Sequence, residues 1–199
     1  MLIFLTGTTG SGKSKVAHDF AIENNFKIIS LDSMSVYKNL DILSDKPSKY
    51  MQEEVQYYGI DIVDANTNFS VFDYLSYLSE MKLDLLSQEE NFLAVGGTGL
   101  YFNAIVNRYN FKKIDTDYRD YLESLDLSDL QRIYIQNGFN EKNIDTNNKR
   151  RLIRALESNN ESQMKNTINF KLPKNDIGIF WDHPDYKEKI KNRTYNMLK

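Results

Sequence analysis

Residues 7–14, Gly7-Thr8-Thr9-Gly10-Ser11-Gly12-Lys13-Ser14, fill every fixed position of the spacing G-x-x-x-x-G-K-[S/T] and follow the apolar run Leu2-Ile3-Phe4-Leu5. A loop of this kind needs a strand before it and a helix after it, because its backbone N–H groups and the first helical turn converge on one anion. Both flanks can be read here: Val16, Ala17 and Phe20 recur at helical spacing after Lys13, so the positive end of that helix faces the loop. Gly7, Gly10 and Gly12 let the backbone turn and approach phosphates, and Thr8, Thr9 and Ser11 complete the cradle. Lys13 adds a mobile charge, and the Ser14 hydroxyl is a ligand for Mg²⁺. A chance glycine-rich turn would not need the full spacing together with both flanks.

Working outward, strand-like runs recur at 2–6, 27–31, 59–63, 92–95 and 177–181, with helical patterns between most of them. That alternation predicts an α/β fold with a largely parallel sheet flanked by helices. Residues 71–86, with Val71, Leu75, Leu78, Leu85 and Leu86 among polar neighbours, read as a helix covering one face of the sheet. From 112 to 171 the strand signal stops and charge rises. Short helical patterns at 117–125, 128–137 and 147–158 suggest a short helical insertion over the sheet, and the polar stretch 158–171 has the composition of a mobile loop. The organisation expected is a core at 1–111, an insertion at 112–171, and a return strand and helix at 172–199. The last helix carries Ile190, Met197 and Leu198, and its periodic pattern stops without a capping signal, which suggests further sequence beyond it.

Bulk properties narrow the class. The chain has 199 residues, 41% of them hydrophobic, with 13 Tyr and 11 Phe, enough for a core. No apolar run approaches the roughly 20 residues of a membrane helix. The apolar opening runs straight into the loop, so it reads as a first strand and not a secretory leader. With no cysteine, disulfides and thiolate-bound zinc are excluded, and a cytoplasmic setting is the expectation. A net charge of −3 offers no global attraction to nucleic acid, so such a partner would be held by local patches.

Two further clusters bear on chemistry. Leu31-Asp32-Ser33-Met34-Ser35-Val36-Tyr37, followed by Asp41-Ile42 and Lys46-Pro47, comes after the second strand. In a doubly wound sheet a carboxylate there lies beside the bound phosphates. Asp32 is thus a metal-side ligand, a proton acceptor for a nucleophile, or a turn aspartate of the kind common at strand ends. Val95-Gly96-Gly97-Thr98-Gly99-Leu100-Tyr101-Phe102 puts a hydroxyl and free N–H groups at another strand-to-helix junction.

The three clusters, in this order and at these separations, resemble the tRNA dimethylallyltransferases. Asn147 to Glu157 (NNKRRLIRALE) looks like that family's N-D-x-x-R-x-x-R-A-L-E segment, and Lys189-Ile190-Lys191-Asn192-Arg193 with Met197-Leu198 looks like its R-I-x-x-R-x-x-x-M-L helix. The resemblance spans nearly the whole chain. It implies a P-loop NTPase-like fold and transfer of a dimethylallyl group from dimethylallyl diphosphate to N6 of an adenosine beside the tRNA anticodon. It implies Asp32 as proton acceptor, Thr98 as an aligning hydroxyl and Arg193 as a clamp on the diphosphate. Contacts to tRNA would come from Asp32, Ser33, Met34 and Ser35 and from Arg150, Arg151 and Arg154 in the basic run that starts at Lys149. A monomer using Mg²⁺ is expected. The chain departs from the family pattern at Ser35, where the family usually has Gln, and at Leu43-Ser44-Asp45-Lys46-Pro47, where it has G-T-A-K-P. It also ends where familiar members continue with further helices. Two other readings fit a phosphate loop followed by a carboxylate: a small-molecule kinase, which leaves the GGTGLYF junction without a purpose, and an inactive tRNA- or nucleotide-binding remnant.

Overall fold

The computed structural model describes residues 1–42, 44–81, 90–97, 99–107, 116–140, 144–159, 176–181 and 185–197. Five strands form one sheet: β1 (Leu2–Gly7), β2 (Lys27–Ser30), β3 (Tyr57–Tyr58), β4 (Phe92–Gly96) and β5 (Asp176–Trp181). They lie in the order β3-β2-β4-β1-β5 with every pairing parallel, Leu2 opposite both Phe92 and Asp176. The sheet and flanking helices match the α/β reading of the sequence. β1 and β4 are apolar at nearly every position because a parallel strand in the middle of such a sheet is covered on both faces.

Alternation along β1 sorts the core. Ile3 and Leu5 pack with Ala17 and Ala21 of α1 (Lys13–Asn24) and with Ile28, Leu93 and Val95. Phe4 points the other way, edge-on to Phe102 of α4 (Gly99–Val106) at 5.4 Å between ring centres. α3 (Val71–Glu80) starts at a capping box, Ser70 and Asp73 each bonding the other's backbone N–H, and buries Tyr74, Leu75 and Leu78. Chain from β1 and chain from β4 leave in opposite directions along the sheet, so the crevice beyond their carboxyl ends is the place where such folds receive ligands.

Two sequence expectations need correction. The strand expected at 59–63 is β3, two residues long and earlier. Gly59 (φ 82°) and Asp61 (φ 54°) adopt left-handed backbone that a strand cannot hold, and Val63 makes only an isolated bridge to Tyr37. A short helix, α2 (Lys49–Glu54), was not anticipated; it is capped by Ser48 and buries none of its residues. Leu85 and Leu86 of the expected helix at 71–86 lie outside the described residues. So does most of the polar stretch 158–171, although Ser158 and Asn159 belong to α7.

Contacts divide the chain into two compact units, Met1–Tyr109 with Ile168–Lys199, and Asn110–Thr167. The second contains α5 (Thr116–Ser124), α6 (Leu127–Gln136) and α7 (Lys149–Asn159) around a small core of Leu122, Leu130, Tyr134, Leu152, Ile153 and Leu156. Asp126 caps α6 through the Asp129 N–H at 2.8 Å. The chain's last helix, α8 (Tyr186–Met197), belongs to the first unit. No helix among the described residues is long and apolar enough to cross a membrane.

Candidate active site

The phosphate loop is held by absent side chains. A Cβ on Gly7 would lie 1.8 Å from the Trp181 carbonyl oxygen, so only glycine lets β1 and β5 close here. Gly12, at φ 86°, is the residue before α1 and supplies no side-chain cap, which leaves the first amides of the helix to a ligand. Lys13 is almost wholly buried, and its Nζ donates to the Thr8 carbonyl at 3.0 Å, folded back across the loop.

The Gly96-Gly97 pair at the end of β4 joins the three sequence clusters. A Cβ on Gly97 would come within 3.4 Å of the Gly7 carbonyl and 3.7 Å of both Lys13 Nζ and Thr9 Oγ1, and one on Gly96 would come within 2.5 Å of the Leu31 carbonyl. Gly96 therefore admits the strand end that carries Asp32, where a Cβ would clash, while Gly97 lies within van der Waals reach of the phosphate loop. Thr98 lies outside the described residues.

Asp32 accepts the Met34 N–H through Oδ1 at 2.8 Å, an Asx turn, which meets the turn reading of this residue. The same carboxylate also faces the cavity. That cavity, about 1050 Å³, is lined from the loop by Gly10, Gly12, Lys13 and Ser14, from the second cluster by Asp32 through Ser35, and from α8 by Lys189. Ser35 is buried and Met34 exposed. Arg193 follows one helical turn after Lys189 in α8.

The segment bearing Asp32 is laced from behind. The Asp61 N–H donates to the Ser35 carbonyl, the Ile62 N–H to that of Val36, and the Lys38 N–H to that of Val63. Lys46, its side chain 1% exposed, donates to the Tyr37 carbonyl at 2.6 Å, Asp61 Oδ1 at 2.7 Å and Asp41 Oδ1 at 2.9 Å. Those three bonds use all the protons of an ammonium. Burial pulls the Lys46 pKa down, yet the bonds to Asp61 and Asp41 prevail and hold it above the ordinary lysine value. Burial likewise pushes Asp61 up, but Lys46 and Lys49 hold it below the usual carboxylate range. The lysine that the sequence placed in a family motif is therefore a fastener of the loop. On the other side, the Tyr74 hydroxyl donates to the Ser30 carbonyl at 2.5 Å, fixing the end of β2. Tyr101 stacks on Tyr74 at 4.3 Å, and burial, with the nearby Tyr37, Asp32 and Asp73, pushes its phenol up to about 12.

Sequence reasoning missed His18. It stands one turn after Ser14 on α1, is buried, and bonds Tyr57 Oη through Nδ1 at 3.0 Å and Glu54 Oε2 through Nε2 at 3.1 Å, all three lining the cavity. The i, i+4 relation to Ser14 was the signal available. Burial, then the charges of Asp19 and Glu54, raises the Tyr57 phenol to about 12.

Among the described residues no group of three or more acidic or histidine side chains could hold a metal alone. The donors on this wall, the Ser14 hydroxyl and the Asp32 carboxylate, are hard oxygens. Such a sparse set suits Mg²⁺ where ligand phosphates and water complete the shell.

In the second unit Arg150, Arg151 and Arg154 are exposed on α7. Lys149, which opens the same basic run, is committed elsewhere: its Nζ donates to the Glu123 and Leu125 carbonyls at 2.8 and 2.6 Å, capping the end of α5. Glu157, nearly buried beside Arg119 at 3.4 Å, has its carboxyl pushed up by burial, against the pull of Arg119 and Arg154.

Comparison with known proteins places this geometry. A family model described as IPP transferase matches residues 35–199. A tRNA dimethylallyltransferase of Aliarcobacter butzleri is 32% identical over 208 aligned positions, covering 99% of this chain and 69% of that protein. One from Leuconostoc mesenteroides is 31% identical over 99% of this chain and 68% of its own length. The crystal structure of the tRNA isopentenylpyrophosphate transferase of Bacillus halodurans superposes with a TM-score of 0.62 at 30% identity, over 99% of this chain and 65% of that one. A eukaryotic dimethylallyltransferase acting on tRNA gives a TM-score of 0.72 at 23% identity over 52% of its length, a likeness of fold. The chain spans about two thirds of the length of these three bacterial relatives.

Proposed function

The chain belongs to the IPP transferase family, and from that premise we propose that it transfers the dimethylallyl group of dimethylallyl diphosphate to N6 of the adenosine next to the tRNA anticodon, position 37. The observation that carries this reading is the meeting of three clusters on one cavity: the phosphate loop, the Asp32 turn and the Gly96-Gly97 junction between them.

In the reaction an allylic C–O bond breaks, an N6–C bond forms, N6 loses a proton, and diphosphate leaves. Negative charge grows on the leaving group, and Lys13 with the amides of Gly10, Gly12 and Ser14 is the donor set that stabilises it. Mg²⁺, held through Ser14, would add positive charge to the same oxygens. Asp32 accepts the N6 proton, its carboxylate steadied at the cavity wall by the Met34 N–H. Thr98 keeps the reactants in line, and Arg193 clamps the diphosphate from α8. The 32–35 segment contacts the target base, which is drawn out of its stack, and Arg150, Arg151 and Arg154 are contacts to tRNA in the second unit. The protein acts as a monomer in the cytoplasm.

Incubation with radiolabelled dimethylallyl diphosphate, Mg²⁺ and an unmodified anticodon stem-loop tests this. Label in the RNA is the expected outcome. ATP consumption without prenyl transfer would favour a kinase, label in free AMP a free-nucleotide prenyltransferase, and RNA binding without turnover an inactive remnant.

A further inference from the structure

β5 touches the phosphate loop at two points. Trp181, its last residue, pairs with Gly7 and lays its carbonyl over the glycine's missing Cβ. Its indole Nε1–H reaches further and donates to the Ser11 carbonyl at 3.2 Å, joining residues 170 positions apart.

That bond acts on a particular peptide. In a trans peptide the C=O and the following N–H point to opposite sides, so an indole holding the Ser11 C=O toward β5 turns the Gly12 N–H away from β5. Gly12 and Lys13 line the cavity, whereas Ser11 does not. The Ser11 side chain does little to fix this tilt: the residue is 2% exposed and its hydroxyl has no hydrogen-bond partner among the described residues. The Ser11 N–H reaches the Thr8 carbonyl at a long 3.3 Å. The indole bonds the Ser11–Gly12 peptide directly, through its carbonyl.

We infer that Trp181 is a positioning residue for phosphate binding: its indole N–H sets the tilt of the Ser11–Gly12 peptide and so the aim of the Gly12 amide at the anion. The inference rests on the loop holding a phosphate-bearing ligand and is independent of which group is transferred or to what acceptor. Because α8, with Lys189 on the cavity wall, follows β5, the same bond links the loop to a second cationic element.

Trp181 is the chain's only tryptophan, so a spectrum of protein carrying ¹⁵N in its indole has a single side-chain N–H resonance to follow. Titration with inorganic pyrophosphate should move that resonance saturably. Trp181→Phe, which keeps a ring and removes the donor, should bind pyrophosphate about 10-fold more weakly by calorimetry, the loss of one hydrogen bond. A merely structural role would lower the melting temperature and leave pyrophosphate affinity in the folded variant unchanged. A still resonance with unchanged affinity overturns the inference while leaving the loop's anion binding intact. Absence of pyrophosphate binding by the unsubstituted protein overturns both. Should the variant fail to fold, the wild-type resonance decides: movement supports the role and stillness refutes it.

Discussion

The phosphate loop and the segment after β2 stand on the same cavity wall, and each contains a buried lysine, yet the two lysines do opposite things. Lys13 belongs to a loop shaped by what glycines omit, its Nζ donating to the Thr8 carbonyl and the residue lining the cavity. Lys46 belongs to a loop shaped by what side chains add, three hydrogen bonds filling its ammonium. A buried cation facing a cavity favours an anionic ligand; a buried cation already surrounded by two carboxylates and a carbonyl favours the fold. Burial alone does not tell function from scaffold; the partners do.

Substitutions can pull the two apart. Asp32→Ala carries the greatest effect: turnover should fall by about 10²–10⁴-fold, the usual span for a lost general base, with pyrophosphate affinity retained. Near-normal rates would remove Asp32 from its role. Lys13→Met should weaken pyrophosphate binding by roughly 100-fold, as expected for losing charge-assisted bonds, while the melting temperature holds or rises because a buried charge has gone. Lys46→Met should do the reverse. Breaking its pairs should cost roughly 2–3 kcal/mol in denaturant unfolding, under the figure for a fully buried pair because Asp61 is still partly exposed. Turnover should fall with it as the Asp32 turn loosens, while pyrophosphate affinity persists in the folded fraction.

The same contrast has a pH signature. The folded pKa of Asp61 is depressed, so its contribution to stability is present above the unfolded carboxylate value, about 3.9, and is lost as pH falls through the folded value. The folded pKa of Lys46 is raised, so its contribution is present below about 10.4 and is lost as pH rises through the folded value. Chemical denaturation across pH should therefore show an acid limb that Asp61→Asn flattens, and an unaltered acid limb would detach Asp61 from the clamp.

Much of this was legible in the chain. β1, the loop and α1 follow from an apolar run, a glycine spacing and a helical period that agree with one another, and the parallel sheet follows from their repetition. The segment 59–63 misled because Ile60 and Ile62 alternate as a strand would, while Gly59 and Asp61 turn the backbone left-handed. α2 stayed hidden because it buries nothing and so leaves no periodic apolar stripe. Lys46 and Trp181 were illegible for another reason: what they do depends on carbonyls brought near by folding, and a carbonyl has no letter in the sequence. Lys149 teaches the same lesson in the second unit, where a basic run that reads as a surface patch spends its first member on the end of α5.

A smaller effect separates that run. Arg150→Ala with Arg151→Ala should weaken anticodon stem-loop binding almost uniformly and lower the slope of affinity against salt by about 1 per lost phosphate contact. Lys149→Ala should leave the slope unchanged and loosen the α5–α7 bundle instead. Equal slopes for all three would return the arginines to the role of a solvated face.

All of this turns on what the phosphate loop holds when the reaction occurs. The decisive count is of diphosphate released against prenyl groups gained by a stem-loop RNA, followed together by a phosphate-release assay and mass spectrometry of the digested RNA. One diphosphate per N6-dimethylallyl adenosine, with no consumption of ATP, is the result expected from a loop that grips a leaving group. Phosphoryl transfer from ATP with the RNA mass unchanged would mean that the loop serves a kinase.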